Sequence, residues 1–265
     1  MSIIEDLKEL SKSLKEKFLE GEASIVREKL VSDKKEFVLN TDMLSQNHLI
    51  NVAREYHPNF KVISEELDNY MGLAQEENGF VIMDPLDGTH NFLFGLPMWG
   101  FSYTLFDSSN LALESYIGIP MLNILLAYKN DQIICHFTDA QYATKEINLD
   151  YTDKPLSNMM IAYDNQFNKD PNIIRSFNLL VDNVFTLRIS GSAVFDISML
   201  IFGRLDARIW HYTEPYDVAP VFAFLKKFGS VVNLISGKEA KLTDKSIIAT
   251  LDGQLFNKLQ QIKLN

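Results

Sequence analysis

The sequence predicts a layered α/β protein. Strand-like and helix-like segments follow one another in pairs, which favours layers of helices and sheets over a barrel or an all-strand sandwich. The most informative stretch is GFVIMDPLDGTHNFLF at 79–94, where an apolar run predicts a buried strand that ends in carboxylates. Of the 265 residues, 46% are hydrophobic, which is enough for a large core.

A chain of this length suits one large domain or two intimate lobes. The polar, turn-rich segment 138–156 is the candidate boundary. We therefore predict an N-terminal α+β lobe over 1–145 and a C-terminal α/β lobe over 146–265, working as one integrated unit.

The N-terminal segment predicts helices and one short strand. Apolar residues at helical spacing, with charges between them, predict an amphipathic helix over 3–20. The segment 23–30 is compatible with an extension of that helix, and 32–35 reads as a loop. A second helix is expected to begin at Thr41 or Asp42 and to end at 57–59, before a short strand over 60–63.

Beyond the central stretch, alternating patterns predict strands over 100–106 and 111–120 and a hairpin of 123–128 with 132–137. The second half predicts strands at 159–163, 185–188 and 206–210. Helices are expected over 171–182, 192–202 and 216–228, and two strands and a terminal helix close the chain.

The charge and the cysteine content limit the classes of partner and the compartments that this protein fits. The net charge of −10 argues against a nucleic-acid backbone or an anionic membrane as the main partner. A phosphate substrate would then need local positive charge, which bound cations supply. Cys135 is the one cysteine, so no intrachain disulfide forms and a reducing cytoplasm fits. The N-terminus lacks a signal-peptide core, and no run approaches the ~20 apolar residues of a membrane span.

The central stretch carries candidate ligand groups. Asp84 and Asp87 follow the apolar run, at the strand end where ligands bind in open α/β sheets. Pro85 predicts that the strand stops there, and Gly88 permits a positive φ or a close backbone approach. Thr89 is predicted to cap a short helix over 90–92, whose free N–H groups suit a phosphate. The alternative is that Asp-Pro and Asp-Gly here are only turn formers.

The string DPLDGTHNF at 84–92 resembles the signature of the inositol monophosphatase family, which belongs to the lithium-sensitive, metal-dependent phosphatases and includes bacterial SuhB-like members. Four other places match that family in the same order: Asp42 at a helix start, SEE at 64–66, RISGSA at 188–193 and YDVA at 216–219. The resemblance implies a layered α-β-α-β-α sandwich with the active site between two lobes.

The resemblance also implies the site. Two or three Mg²⁺ ions, which prefer oxygen ligands, would be held by carboxylates and one backbone carbonyl: Glu65, Asp84, Leu86, Asp87 and Asp217. Asp42, Glu65 and Thr89 would be catalytic, with Thr89 hydrogen-bonded to Asp42 and orienting the attacking water. The substrate would contact Leu86, Asp87, Gly88, Thr89, Gly191, Ser192, Ala193, Trp210 and Asp217. Taken singly, each match has a structural alternative as a helix cap, a turn or a first-turn acid.

Three positions depart from the family pattern. The usual Asp-x-Val-Thr ahead of Asp42 is Glu36-Phe37-Val38-Leu39, and Tyr216 replaces a tryptophan. Inositol-binding members carry a glutamate seven positions before the metal aspartate, and this chain has Trp210 there. Losing an acceptor for sugar hydroxyls removes discrimination. Trp210 is expected either to stack on a substrate ring or to be a core aromatic.

The function implied is a Mg²⁺-dependent phosphomonoesterase acting on a small phosphate ester. Candidate substrates are inositol or sugar phosphates, histidinol phosphate, fructose 1,6-bisphosphate and 3′-phosphoadenosine nucleotides, the last disfavoured by Asn91-Phe92. An alternative from another class is an accessory protein that binds RNA polymerase or assists ribosomal RNA synthesis. The resemblance also implies a homodimer, and the apolar stretch 93–101 is either its interface or core.

Overall fold

The computed structural model describes residues 2–31, 34–67, 78–140, 143–227 and 229–262. Over these ranges the helices are α1 (Ile3–Glu20), α2 (Asn40–Tyr56), α3 (Thr89–Leu93), α4 (Pro171–Asn183), α5 (Ala193–Ile201), α6 (Pro215–Phe224) and α7 (Leu255–Gln261). None of them is both long enough and apolar enough to cross a membrane.

The strands form three sheets. A hairpin pairs β1 (Ile25–Val31) with β2 (Lys34–Leu39). A seven-stranded sheet contains, in spatial order, β3 (Lys61–Ser64), β4 (Phe80–Asp87), β5 (Gly100–Phe106), β6 (Ala112–Ile119), β7 (Ile124–Lys129), β8 (Gln132–Phe137) and β9 (Thr144–Glu146). A five-stranded sheet has the order β11 (Thr186–Arg188), β10 (Met160–Ala162), β12 (Ala207–His211), β14 (Ser246–Thr250) and β13 (Ser230–Asn233).

Three apolar cores stack the elements into five layers, α-β-α-β-α, as the family resemblance implied. The first core packs α1 and α2 against one face of the seven-stranded sheet, through residues such as Leu10, Leu49 and Tyr103. The central core holds α5 and α6 between the two sheets. The third packs α4 and α7 on the outer face of the five-stranded sheet.

The chain after α1 corrects one prediction. Residues 23–30 do not extend the helix, because Gly21 takes φ 71 and its N–H, with that of Glu22, closes the helix end on Phe18 and Lys17 carbonyls. The chain then forms β1, where Ile25 pairs with Leu39 of β2. β-Branched residues favour such a strand. Of the predicted loop, 34–35 belong to β2, and 32–33 lie outside the described residues.

The central strand also differs from its prediction. It does not stop at Pro85 but continues to Asp87, because a bulge accommodates the proline. Asp84 pairs with Ser102 and Asp87 with Gly100, so two residues of β4 oppose one residue of β5. A proline without an N–H is tolerated at such an irregularity.

Two further predicted boundaries, the end of α6 and the division between the lobes, concern the second half of the chain. Helix α6 ends at Phe224 rather than at Phe228, which lies outside the described residues. The last strand of the seven-stranded sheet ends at Glu146, and α5 and α6 from the second half share its central core. The lobe boundary between 145 and 146 stays a prediction.

Gly118 on β6 gives a test of this packing. A Cβ added there would lie 2.2 Å from the ring of Phe101, which is fully buried. We expect Gly118→Ala to cost roughly 1–3 kcal/mol of unfolding free energy, since an overpacked core must shift. Gly253, with nothing within 4 Å of its added Cβ, is the control and should change by less than about 0.5 kcal/mol on Gly253→Ala. Equal midpoints in urea for the two variants would contradict the packing.

Candidate active site

Three of the predicted acids meet at one point between the sheets. Asp84 and Asp87 come from the bulged end of β4, and Asp217 comes from the first turn of α6. One carboxylate oxygen of each lies within 4.8 Å of the others. Residues 130 or more positions apart in the chain therefore form one acidic cluster.

Asp87 is held by the beginning of α5. Its Oδ2 accepts hydrogen bonds from Ser192 Oγ at 2.5 Å and from the Val194 N–H at 2.8 Å. A carboxylate at a helix N-terminus satisfies free N–H groups and is favoured by the helix dipole. Ser192 and Ala193, which were predicted to contact the substrate, also hydrogen-bond to Asp87 and so position it.

The other two acids are fixed by short local loops. Asp217 Oδ2 accepts from the Glu214 N–H at 2.7 Å and from Thr213 Oγ1 at 3.1 Å. Asp84 Oδ1 accepts from the Leu86 N–H at 3.1 Å. Each side chain therefore has one oxygen engaged by the backbone and further lone pairs available for a ligand.

Burial dominates the electrostatics of the cluster. It raises the pKa of Asp217 to about 7, from an ordinary value of 3.8. Burial, reinforced by the charges of Glu65 and Asp87, raises the pKa of Asp84 well above its usual range. Burial also raises the pKa of Asp87, opposed by the hydrogen bonds from the start of α5 and by the charge of Arg208. Without a cation, these carboxylates cannot all be ionised cheaply near neutral pH.

Asp42 and Thr89 form a second pair beside the cluster. Thr89 Oγ1 lies 3.2 Å from Asp42 Oδ1 and 2.9 Å from the Leu86 carbonyl oxygen, and both are acceptors. The Leu39 N–H donates to Asp42 Oδ2 at 2.8 Å, so the backbone supplies a donor where the family pattern has a threonine. Burial raises the pKa of Asp42 to about 7.

The turn between β4 and α3 corrects the predicted cap. Gly88, not Thr89, is the N-cap of α3, and its φ of 86° explains the glycine. A Cβ at this position would also lie 3.0 Å from the Met98 carbonyl oxygen. In the part of the chain that is described, no backbone carbonyl accepts from the N–H of Gly88 or Thr89.

The acidic cluster lies in a cleft with two halves. The acidic half, about 400 Å³, is lined by Glu65, Asp84, Leu86 and the 87–89 turn. The second half, about 410 Å³, is lined by Gly191, Ser192, Ala193, Trp210 and polar residues of the 163–169 segment. Asp87, Asp217 and Lys169 line both halves. All predicted site residues except Asp42 thus line the cleft, and Asp42 reaches it through Thr89.

Trp210 lines the cleft but is only 2% exposed. The Arg208 guanidinium carbon lies 4.9 Å from the centre of its ring, in a cation–π contact. Arg208 is itself buried and pairs with Asp196 at 3.1 Å. This arrangement favours the core alternative for Trp210, because a ring so covered offers little surface to a substrate.

Several contributing residues escaped the sequence analysis. Asn91 Nδ2 donates to the carbonyls of Met98 and Ser190, and so ties α3 to the turn before Ser192. Thr213 supports Asp217, and the pair of Arg208 with Asp196 lies behind the cleft. Asn91 lies inside the recognised motif, and Arg208 shares a strand face with Trp210, but nothing in the sequence indicated their partners.

The donor set fits Mg²⁺. The cluster consists of three carboxylates, and Leu86, whose carbonyl is a further candidate, lines the same half of the cleft. Such oxygen ligands are those that this hard cation prefers. Burial first, and the charges of neighbouring acids second, raise the pKa values of Asp84 and Asp217, and a bound cation would favour their ionised forms. The fold and the site together define a layered α/β protein with a buried magnesium-type carboxylate centre.

Comparison with known proteins agrees with this geometry. Residues 4–264 match the inositol monophosphatase family, and the chain belongs to that family. An inositol monophosphatase of Dictyostelium discoideum is 22% identical over 230 residues, covering 86% of this chain and 82% of that protein. A putative Nus factor SuhB of Neisseria meningitidis is 26% identical, covering 81% and 79%. The crystal structure of the Bartonella henselae suppressor protein suhB superposes with a TM-score of 0.79 at 21% identity, covering 98% and 95%. The family is magnesium-dependent, in agreement with the acidic cluster.

The raised pKa values predict how pH, Mg²⁺ and stability are linked. A carboxyl whose pKa rises from 3.8 to about 7 on folding contributes stability that is fully present below about pH 3.8 and is lost as pH rises to about 7. In metal-free protein at pH 7.5, Asp217→Asn should therefore raise Tm by several degrees, at about 2–4 °C per kcal/mol. Millimolar Mg²⁺ should stabilise the parent more than the variant.

Thermal unfolding in EDTA and in Mg²⁺, at pH 4 and pH 7.5, measures both effects. The exposed acid Asp182 supplies the control, and Asp182→Asn should move Tm little under every condition. A parent that is as stable as Asp217→Asn in EDTA at pH 7.5, and indifferent to Mg²⁺, would contradict the electrostatic account.

Proposed function

We propose that this protein is a Mg²⁺-dependent phosphomonoesterase that hydrolyses a small phosphate ester in the cytoplasm. The observation that carries the proposal is the meeting of three carboxylate oxygens within 4.8 Å at the floor of a two-part cleft. Family membership supports the reaction class. The cavity volumes, about 400 and 410 Å³, suit a small metabolite rather than a macromolecule.

The carboxylates of Glu65, Asp84, Asp87 and Asp217, with the Leu86 carbonyl, would hold the ions. Bound there, Mg²⁺ supplies charge neutralisation and an acidified water. The chain's own residues do the positioning. Ser192 Oγ and the Val194 N–H hold one oxygen of Asp87, and the Glu214 N–H holds one oxygen of Asp217. These bonds fix the orientation of both side chains at the cluster. Preorganisation of this kind is the main protein contribution to phosphoryl transfer.

Thr89 and Asp42 supply the proton path. The Thr89 hydroxyl has one proton to donate, and Asp42 Oδ1 and the Leu86 carbonyl are its two acceptors. If the Leu86 carbonyl served as an ion ligand, the Thr89 hydroxyl would donate to Asp42 alone, and its oxygen would be placed to accept a hydrogen bond from the attacking water. Asp42, with a pKa of about 7, is matched to take up a proton near neutral pH.

The 87–89 turn would hold the phosphate. The N–H groups of Gly88 and Thr89 have no backbone acceptor in the described chain and lie at the start of α3. Gly88 lines the acidic half, where the absence of a side chain allows a close approach. These donors suit the equatorial oxygens of a phosphoryl group beside the cluster.

A binding role is the second candidate. Several relatives are named Nus factor SuhB, which favours the accessory function in transcription that the sequence left open. The acidic net charge of −10 argues that such a role would work through a protein partner rather than through nucleic acid. The assay below separates the two candidates.

Phosphate release from a metabolite panel tests the enzyme. The panel contains inositol and sugar monophosphates, fructose 1,6-bisphosphate, histidinol phosphate and 3′-phosphoadenosine nucleotides. Parent protein should release phosphate from at least one member only when Mg²⁺ is present. Asp87→Asn should lower kcat by on the order of 10²-fold or more, with the fold intact because its amide oxygen still accepts from Val194.

Asp182→Asn, which alters an exposed acid on α4, is the activity control and should match the parent. Near-parental turnover by Asp87→Asn would contradict the assigned site. A folded parent that is silent across the whole panel would favour the binding role instead.

We also propose a homodimer formed through the exposed part of the 93–101 stretch. Phe94 is 71% exposed and Leu96 46%, whereas Trp99 and Phe101 are buried in the core. Ile189 is 44% exposed and lines a shallow apolar groove with Met98. Exposed apolar residues that are close in the chain, such as Phe94 and Leu96, are typical of an interaction surface.

Sedimentation velocity tests the dimer. The parent should sediment at twice the 30.3 kDa of one chain, and Phe94→Glu should sediment as a monomer because an interface core does not accept an unpaired charge. Phe185, 68% exposed at another place, is the matched control, and Phe185→Glu should leave the dimer intact. A monomeric parent, or identical behaviour of the two variants, would contradict this surface.

A further inference from the structure

The second half of the cleft contains a carboxylate outside the acidic cluster. We propose that Asp164 selects the leaving group, by accepting hydrogen bonds from the hydroxyls of a neutral polyol phosphate. This inference rests on the proposed phosphatase function and deepens it. Asp164 is half-buried and lines the same cavity as Asp87 and Asp217.

The sheet places Asp164 beside the end of β12. Strands β10 and β12 are parallel neighbours, with Ala162 opposite Arg208. Asp164 lies two residues beyond the end of β10, and Trp210 lies two residues beyond Arg208 on β12. The His211 N–H donates to Asp164 Oδ2 at 3.1 Å, which joins the two strand ends.

Backbone donors fix the orientation of this carboxylate. Besides the bond from His211, the Asn165 N–H donates to Asp164 Oδ1 at 2.8 Å. An ionised carboxylate offers about four lone-pair sites, so each oxygen keeps one for another donor. Asp164 is thus an oriented acceptor with capacity left.

The cations of the cavity are engaged elsewhere. Arg208 pairs with Asp196 at 3.1 Å and covers the Trp210 ring. Lys169 Nζ lies over the Tyr212 ring at 5.5 Å from its centre. Among the described residues, no Lys, Arg or His lies within ion-pair distance of Asp164. The remaining acceptor sites of Asp164 are therefore open to neutral donors such as the hydroxyls of a substrate.

The segment after Asp164 completes a polar wall. Phe167 packs its ring against Tyr163 and Phe177, with centres 6.3 and 5.3 Å apart, and so anchors the segment to the third core. Its neighbours Gln166 and Asn168 line the cavity, together with Asn165. Amides both donate and accept, which matches hydroxyl groups.

The charges around this wall exclude the charged alternatives. The Asp164 carboxylate repels a second phosphate on the leaving group, because like charges in a partly buried site are costly. Lys169 lines the same cavity and, among the described residues, pairs with no acid, so its charge opposes an ammonium group. A neutral leaving group that carries hydroxyls is compatible with both the negative and the positive charges of this cavity.

The experiment compares two ring substrates that differ only in their hydroxyls. We measure kcat/KM for inositol 1-phosphate and for cyclohexyl phosphate, in Mg²⁺, and take their ratio. Asp164→Ala should lower this ratio by roughly 10- to 100-fold, the effect of losing a hydrogen bond to a charged acceptor. Asp164→Asn, which keeps one acceptor oxygen, should restore part of the loss.

Asp170 supplies the matched control on the same segment. Its Oδ1 accepts from the Asn172 N–H at 2.8 Å at the start of α4, and it is not among the residues that line this cavity. Asp170→Asn should keep the parental ratio.

An equal loss on both substrates in Asp164→Ala would overturn the inference, because it would show a structural role. A parent that prefers fructose 1,6-bisphosphate or histidinol phosphate to inositol 1-phosphate would overturn it as well. A parent that hydrolyses none of these esters refutes the phosphatase function itself, which is a different result.

Discussion

The structure depends on keeping three carboxylates together in a buried place where they repel one another. No single element could do this, so the chain engages each acid with a nearby N–H: Leu86 for Asp84, Val194 for Asp87 and Glu214 for Asp217. Two of these N–H groups lie at or just before the first turn of a helix, where they lack intrahelical partners. The helix ends are thus satisfied by the same bonds that aim the ligand groups.

That constraint explains the arrangement of layers around the cleft. The bulge in β4 directs Asp84 and Asp87 to the end of the seven-stranded sheet, and the central core brings the beginnings of α5 and α6 to the same place. Asn91 ties the α3 turn to the loop that precedes Ser192, so the two halves of the chain are joined at the site itself. The seven-stranded sheet supplies two acids and the second half of the chain supplies the third, so the cluster requires both.

Much of this was predictable from the sequence, and the failures have physical causes. Periodicity located α1 and α2, and motif order identified Asp84, Asp87 and Asp217 as one set. The hairpin of β1 and β2 was missed because 23–30 has no clear period and because Gly21 was not recognised as a helix end. The bulge at Pro85 was not predicted, because the rule that proline ends a strand applies to regular strands and not to bulges. Asp164 and Arg208 were missed because their importance comes from cross-strand neighbours, which local sequence does not encode.

The charges of the cleft also explain how an acidic protein can handle an anionic ester. The net charge of −10 and the cluster itself would repel phosphate, and the nearest buried guanidinium, Arg208, is already paired with Asp196. In the proposed function, attraction would come from cations held by the acids that otherwise repel the substrate. Cations held there would also offset the cost of burying Asp84 and Asp217, so under the proposed assignment ion binding would both stabilise the fold and complete the substrate site. Specificity is left to groups that the ions do not touch, and on the far wall of the cleft the carboxylate with unused acceptor capacity is Asp164.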